Sequence, residues 1–350
     1  MNSDQSSIND WLQSLSRRDL FRTARLAAGS AALLGVPKFI GNWMGEAEAA
    51  MPKRSLASLS QLALELEGQP AGILESVEGG NAFAEVIFEP PGPDLIQRKR
   101  SGPVRFEDIV LQVPLGGNPK SLTNWMMETL TKGPIPRNGA ILYADFNNTE
   151  VRRLEFFNAL LTEINFPALD GASKDAASVM IRLTPQTTRL AGSTGKALPP
   201  PGNKLKPAMR SNFRCNIQGL ENACKNIFQI DPIVAKRPMT KVAAGQEKFR
   251  QPGSGSGMLD CSMVTLILPL DNVGPFHAWF DDVVLKGNQA GERAGLLEWL
   301  SPDMNTVMGS ILFGGLGITR IALDPSEAKT GKIQTARVEM YCETMALNIL

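Results

Sequence analysis

The second half of this chain repeats the spacing of the first. In each half a β-branched and Leu-rich run stops at a Pro-Leu pair, a Trp follows ten or eleven residues after the Pro, and a Lys-Gly pair comes seven and eight residues after the Trp. These positions are Pro114, Trp125 and Gly133 in the first half and Pro269, Trp279 and Gly287 in the second. A repeat of about 155 residues is too long for a solenoid unit of about 20–50 residues and has the length of a domain. The spacing predicts two copies of one domain in tandem.

The repeat divides the chain into four segments. Residues 1–50 precede it, 51–190 form the first predicted domain, 191–210 a linker rich in Pro and Lys, and 211–350 the second domain. A hydrophobic content of 43% suffices for two cores. The net charge is +1, without the basic excess that nucleic-acid-binding proteins normally have, so we expect no nucleic-acid binding. After residue 50 no run reaches 18 apolar residues, so no transmembrane helix is expected.

Residues 1–50 have the layout of an export signal. They contain a twin-arginine pattern, Ser16-Arg17-Arg18-Asp19-Leu20-Phe21. A mildly apolar, Ala-rich run follows, and Ala47-Glu48-Ala49 is the best cleavage site. The segment resembles Tat signals, which implies the Tat export machinery as a partner and a place in the periplasm, on the cell surface or outside the cell. The alternative is an amphipathic N-terminal helix with a chance Arg pair.

Alternation of apolar residues predicts a mainly β protein. Strand patterns in the first half cover residues 61–66, 82–88, 106–113, 139–146, 150–157 and 177–183, and those in the second cover 213–217, 226–230, 259–268, 296–300, 309–313, 318–323 and 336–344. Each half has one predicted helix, Ser121 to Thr131 and Pro275 to Leu285. Turns rather than crossover helices separate the strands, so we expect antiparallel β-sandwiches or barrels with one flanking helix each.

The tryptophans of the two predicted helices are candidates for a structural or a binding role. Trp125 and Trp279 occupy the same point of the two helices. A ligand-binding role is the alternative, but the shared position favours core anchors.

Two long basic loops are candidate contact sites. The first, 89–105, carries Arg98, Lys99 and Arg100, and the second, 238–257, carries Lys248 and Arg250. Long loops in compact domains are usually functional or disordered, whereas a charge run is usually just solvated.

The sequence gives little support for catalysis or metal binding. The one histidine, His277, has only Asp281 at helical spacing, and two ligands are too few for a zinc site. The Gly-rich stretch 253–257 lacks the Lys-Ser/Thr ending of a phosphate-binding loop. The cysteines, whose disulfide pairing stays open, match no zinc spacing and are Cys215, Cys224, Cys261 and Cys342. Neither enzyme activity nor a cofactor is expected.

The stretch from Gly139 to Leu190 carries a family resemblance. It contains the hairpin 140–148, then the segment 153–159 ending in Asn158-Ala159, then Phe166-Pro167-Ala168-Leu169 and a final strand 177–183. In this order of elements the chain resembles the contractile-tail tube family of bacteriophages. The likeness covers the first half well and the second loosely, where Gly314-Gly315 replaces Asn158-Ala159. It implies antiparallel sandwiches, six of which close a ring around a channel, with a long hairpin loop reaching the neighbouring ring. On that basis we expect loops 89–105 and 238–257 to contact the next layer of a stacked assembly.

Doubling of the domain and the export signal depart from that family. Doubling implies that three chains form a pseudo-hexameric ring, which stacks into a tube, with copies of this chain and other phage-tail-like components as partners. One alternative is a hub-like trimeric adaptor that joins a threefold part to a sixfold one. Another is a secreted, monomeric binding module that grips a ligand with its linker or with loop 238–257.

The twin-arginine prediction is tested by a charge-preserving change. Arg17→Lys combined with Arg18→Lys should hold the protein in the cytoplasm, because the Tat route depends on the Arg pair rather than on positive charge. Cell fractionation measures the exported share, with Arg25→Lys as the matched control. Unchanged export of the double variant would rule out a twin-arginine route.

Overall fold

In the computed structural model the chain is described at residues 61–90, 96–116, 120–198, 208–237, 258–288, 291–324 and 333–349. These residues are mainly β, and every strand pair in them is antiparallel. The predicted fold class is therefore confirmed. Within the described ranges, no helix has the length and apolar character needed to cross a membrane.

The first half, here residues 61–192, holds eleven of the strands and one helix. Their bounds are β1 Gln61–Leu66, β2 Gln69–Leu74, β3 Ser76–Gly79, β4 Ala82–Phe88, β5 Lys99–Phe106, β6 Ile109–Pro114, α1 Lys120–Thr131, β7 Arg137–Ala144, β8 Glu150–Phe166, β9 Leu169–Asp170, β10 Ser178–Thr184 and β11 Thr187–Gly192.

The second half, here residues 208–349, has longer strands at its C-terminal end. Its elements are β12 Phe213–Ile217, α2 Glu221–Cys224, β13 Gln229–Ile230, β14 Ile233–Lys236, β15 Asp260–Cys261, β16 Val264–Pro269, a 3-10 turn Leu270–Asn272, α3 Gly274–Phe280, a π-helical turn Asp281–Leu285, β17 Arg293–Leu300, β18 Val307–Leu323 and β19 Thr335–Ile349.

The two large sheets share one strand order. The first runs β1-β7-β8-β10-β6-β3, with β2 outside β1, and the second runs β12-β17-β18-β19-β16-β13, with β9 outside β13. The single long helix of each half lies between the matching strands, α1 between β6 and β7 and α3 between β16 and β17. Every main strand of one half therefore has a counterpart in the other.

Backbone irregularities recur at matching positions in the long strands β8 and β18. Asn158 in β8 and Gly315 in β18 both have positive φ, 47° and 63°. Gly315 bends the chain without ending the strand, so the two strands predicted at 309–313 and 318–323 are one. The counterpart of Asn158 is thus Gly315, one residue later than the sequence alignment placed it.

The two helices are held in the same way. The indole Nε1–H of Trp125 donates to the carbonyl of Ile135 at 2.9 Å, and that of Trp279 donates to the carbonyl of Gly291 at 2.7 Å. Both indoles are buried. Gly133 and Gly287 follow the helices with φ of 109° and 75°, the left-handed conformation that ends a helix.

Several other sequence-based element bounds were wrong, three of them for reasons visible in the local structure. The helix predicted from Pro275 to Leu285 is α-helical only to Phe280 and ends in a π turn. The strand predicted over 259–268 is divided, because β15 turns away at residue 262 to pair with β14. The strand predicted over 106–113 begins at Ile109, since Phe106 belongs to β5.

One hydrophobic core joins the described residues of both halves. Strands of both sheets contribute to it, including Leu111 and Ile181 from the first half and Leu266 and Val338 from the second. The division into domains 51–190 and 211–350 stays a prediction.

Truncating the first helix anchor should destabilise the chain strongly. Trp125→Ala removes a fully buried side chain, and such a change costs about 3–5 kcal/mol. Met127→Ala, on the same helix but 37% exposed, should cost no more than about 0.5 kcal/mol. Urea unfolding measures both, and equal losses for the two variants would contradict the anchoring role.

Candidate assembly surface

Strand addition joins the two halves. β14, from the second half, pairs antiparallel with the last residues of β8, from the first half, in the register Ile233 to Phe166 through Lys236 to Glu163. The Arg237 N–H extends this ladder by donating to the carbonyl of Thr162 at 2.8 Å. We call this β14–β8 contact the junction. An edge of the first half is thereby covered by a strand of the second.

Aromatic packing fills the apolar side of the junction. Phe166, the last residue of β8, stacks on Trp299 of β17 with ring centroids 5.6 Å apart and planes inclined by 28°. Both side chains are fully buried, with exposures of 1% and 0%. Stacked aromatic pairs contribute about 0.5–1.5 kcal/mol beyond the area they bury, so this contact fixes how the two halves meet.

Charged groups complete the junction at its polar side. Lys236 Nζ lies 3.6 Å from Glu163 Oε1. Next to it, Arg237 Nε–H donates to the carbonyl of Thr129 at 3.0 Å, in the last turn of α1, where helix carbonyls lack partners within the helix. Burial lowers the pKa of the Arg237 guanidinium from its ordinary value. An arginine remains charged nonetheless, and here its positive charge lies at the negative end of the helix dipole, where a cation is stabilising.

The hairpin β4–β5 is the first-half counterpart of β14–β15. In one hairpin Ala82 lies opposite Phe106, and in the other Ala235 lies opposite Cys261. The next backbone bond also matches, since Glu107 N–H donates to Asn81 O at 3.0 Å as Ser262 N–H donates to Val234 O at 2.7 Å.

Nothing among the described residues covers the outer edge of β4, although its counterpart β14 is covered by β8. β4 pairs with β5 alone, in a separate two-stranded sheet. Its large apolar side chains are exposed, with Phe83 at 43%, Val86 at 56% and Phe88 at 56%. Unpaired strand edges with apolar side chains invite pairing with another chain.

The last residues of β18 form the second open edge. Residues 320–323 pair with β19 on one side, as 163–165 of β8 pair with β10, but no described strand lies on their other side. Leu323, at the place of the buried Phe166, is 56% exposed. The described structure thus has one filled junction and, at the equivalent places, an uncovered donor strand and an uncovered acceptor edge.

Residues 99–105 of the predicted contact loop 89–105 belong to strand β5. β5 begins at Lys99, whose Nζ lies 5.2 Å from the ring centroid of Phe88, and Arg100 Nε lies 3.3 Å from Glu89 Oε1. The carbonyl of Arg98 accepts the N–H of Glu89 at 3.0 Å. Cross-strand pairing extends the hairpin, so these three basic residues lie on its arms.

The remaining predicted site residues lie outside the described residues. They are the export motif Ser16, Arg17, Arg18, Asp19, Leu20 and Phe21, the cleavage positions Ala47 and Ala49, and Lys248 and Arg250 of the second loop. For these the structure tests nothing.

The described residues contain no cluster of three or more His, Cys, Asp or Glu side chains that could hold a metal ion. His277 and Asp281 are exposed on α3 and at the start of the π turn. All four cysteines are free, and a hydrogen bond with Cys224, together with burial, raises the pKa of the Cys215 thiol well above its ordinary value. The best-defined binding feature on the described surface is therefore the set of backbone groups at open strand edges.

No protein-family profile and no curated protein matches the chain. Among solved structures, it is similar to a chain of the anti-feeding prophage baseplate at 14% identity and a TM-score of 0.36, covering 41% of this chain and 98% of that one. It is also similar to a chain of the PVC sheath–tube complex of an extracellular contractile injection system, at 15% identity and a TM-score of 0.35, covering 40% of this chain and 94% of that one. A third similar structure is Hcp1 from Flavobacterium johnsoniae, at 16% identity and a TM-score of 0.26, covering 38% of this chain and 97% of that one. Likeness at this level carries no conclusion about what this chain does.

Phe166 and Leu323 form a matched pair for testing the junction. Phe166→Ala should destabilise the isolated chain by about 3–5 kcal/mol, because it empties a buried site against Trp299. Leu323→Ala, at the open counterpart, should change the free energy of unfolding by no more than about 0.5 kcal/mol. Urea titration at a protein concentration where the chain is monomeric gives both values. A loss from Leu323→Ala as large as that from Phe166→Ala would show that the edge is already covered.

Proposed function

We propose that this protein is a structural, self-assembling subunit that consists of two copies of one tail-tube-like domain, and that three chains close into a ring of six domains. The observation that carries the proposal is the junction between two halves with one strand order. The first half contributes the edge of β8 and the second contributes β14, so the contact is head-to-tail. A head-to-tail contact that is repeated around an axis closes into a ring when its rotation permits.

Open edges at both ends of the chain support this assembly. The uncovered end of β18 in the second half is the counterpart of the β8 edge, and the uncovered β4 in the first half is the counterpart of β14. Each chain therefore offers one unfilled acceptor and one unfilled donor. A closed ring leaves neither, because these two edges then pair with each other.

Stacking of rings into a tube is the second part of the proposal. The arms of the β4–β5 hairpin carry exposed Phe88, Lys99 and Arg100, which suit a contact with an adjacent layer. Loop 238–257 of the second half holds the equivalent place in the sequence and carries Lys248 and Arg250. Other phage-tail-like components are the further partners of such a tube.

Export completes the proposal. The twin-arginine pattern Ser16 to Phe21 supports Tat export to the periplasm, the cell surface or the medium. The Tat route carries folded proteins, so the β-sheet fold would form before export and rings would close afterwards. A catalytic role has no support in the described residues.

Electron microscopy of the chain without residues 1–49 tests the proposed function. Negative stain should show rings of three chains, alone or in stacks, and light scattering should give a multiple of the three-chain mass. Single rings that never stack would favour the hub-like adaptor. Particles of one chain at high protein concentration would contradict the ring and favour the secreted binding module.

A further inference from the structure

We propose that β4 of one chain adds to the free edge of β18 in the next chain, in the register that β14 adopts on β8. The partner is a second copy of this chain. We call this contact the seam. The inference rests on the proposed ring and specifies which residues close it.

The junction fixes the register of the seam. Ala82 is the counterpart of Ala235, because the two residues hold the same place in their hairpins. Ile321 is the counterpart of Ile164, because each lies just beyond the register shift in its long strand. In the junction Ala235 lies opposite Ile164. The seam therefore places Ala82 opposite Ile321, so the same two residue types meet in both contacts.

Backbone groups of β4 point the right way for this pairing. Asn81 faces β5, because its carbonyl accepts the N–H of Glu107 at 3.0 Å. Neighbouring residues of a strand alternate in direction, so the N–H and carbonyl of Ala82 and of Ala84 face away from β5. The carbonyl of Gly80 already accepts the Thr188 hydroxyl at 2.7 Å, so the seam begins at Asn81.

Side-chain burial differs in the sense that the seam requires. Ile164 and Ala235 are 1% and 3% exposed in the junction, whereas Ala82 is exposed and Ile321 is half-buried in the single chain. Leu323, the counterpart of Phe166, is 56% exposed. Its partner in the seam is Tyr143, because Tyr143 lies opposite Leu62 as Trp299 lies opposite Phe213. Leu323 on Tyr143 then repeats the apolar contact of Phe166 on Trp299.

Charges at the seam are compatible with close approach. The Lys236–Glu163 pair of the junction is replaced by Phe83 opposite Arg320. Arg320 keeps its own partner, since its Nη1 lies 3.0 Å from Glu339 Oε1 on the neighbouring strand. A guanidinium that is already paired can stack over an aromatic ring, so no like charges meet.

The helix beside the open edge is uncovered in the same way. α1 packs against β19 of the other half, and its Leu130 is 5% exposed. Val284, which stands five residues after Trp279 as Leu130 stands five after Trp125, is 43% exposed. In a ring this end of the second helix faces the next chain's β10 and β11, the counterparts of β19, where Leu190 is 59% exposed. A second apolar surface thus accompanies the strand edge.

Disulfide trapping tests the seam directly. We combine Phe83→Cys with Arg320→Cys in the chain lacking residues 1–49 and oxidise the protein with oxidised glutathione. This pair corresponds to Lys236 and Glu163, which do not exchange backbone hydrogen bonds and so have closely spaced Cα atoms. The control combines Phe83→Cys with Leu312→Cys, which is 52% exposed in the middle of β18. The unsubstituted chain is oxidised alongside to measure disulfides formed by the native cysteines.

We expect cross-linked dimers and trimers on a non-reducing gel, in at least tenfold greater yield than with the control pair. No product should be larger than three chains. Cross-linking at the control level, while the unsubstituted chain has the three-chain mass by light scattering, would overturn the seam and leave the ring standing. A one-chain mass for the unsubstituted protein would overturn both.

A second variant guards against misfolding of the cysteine pair. Leu323→Asp should raise the dissociation constant of the assembly at least tenfold while leaving the thermal midpoint of the isolated chain unchanged, because Leu323 is exposed there. Undiminished assembly of this variant would also contradict the seam.

Discussion

Pairing of strand edges is the interaction on which the rest of this structure depends. A β-sheet of this kind leaves N–H and carbonyl groups unpaired at its margins, and each must find a partner or remain in water. Within the chain, β9 of the first half adds to β13 of the second, and β14 of the second half adds to β8 of the first, where Phe166 packs on Trp299. No strand among the described residues covers the equivalent edges at β4 and at the end of β18. Assembly with further copies is the simplest way to satisfy them.

The proposed duplication would set how this edge pairing arranges the chains. A single domain with one donor strand and one acceptor edge pairs head-to-tail with its neighbours. In the proposed ring, two such domains in one chain make one of these contacts permanent, namely β14 on β8. The residues at the two contacts can then diverge, which accounts for Phe166 and Leu323 at equivalent positions. It also accounts for the charged pair Glu163–Lys236 in the junction. The equivalent pair in the proposed seam is Arg320 and Phe83. The contact within the chain has aromatic stacking and an ion pair, whereas the proposed seam has Leu323 on Tyr143 and Phe83 opposite Arg320.

Much of the fold could be predicted from the sequence because its signals are local. Alternation of apolar residues located most strands, and the Trp and Gly spacing located the longest helix of each half and the end of the first at Gly133. The candidate site could be predicted only as a class, namely unpaired sheet edges. The strand β14 is four residues long, and nothing in its sequence tells whether it pairs with its own half or with the other. That choice depends on tertiary packing at Trp299, which no local pattern records.

Amide hydrogen exchange on the assembled and the dissociated protein tests the central claim most directly. If chains join through the seam, peptides that cover residues 81–84 and 319–323 should gain protection together as protein concentration rises. Peptides from the junction, 233–236 and 163–166, should be protected at every concentration, because that contact lies within the chain. Assembly without added protection at 81–84 and 319–323 would contradict the account.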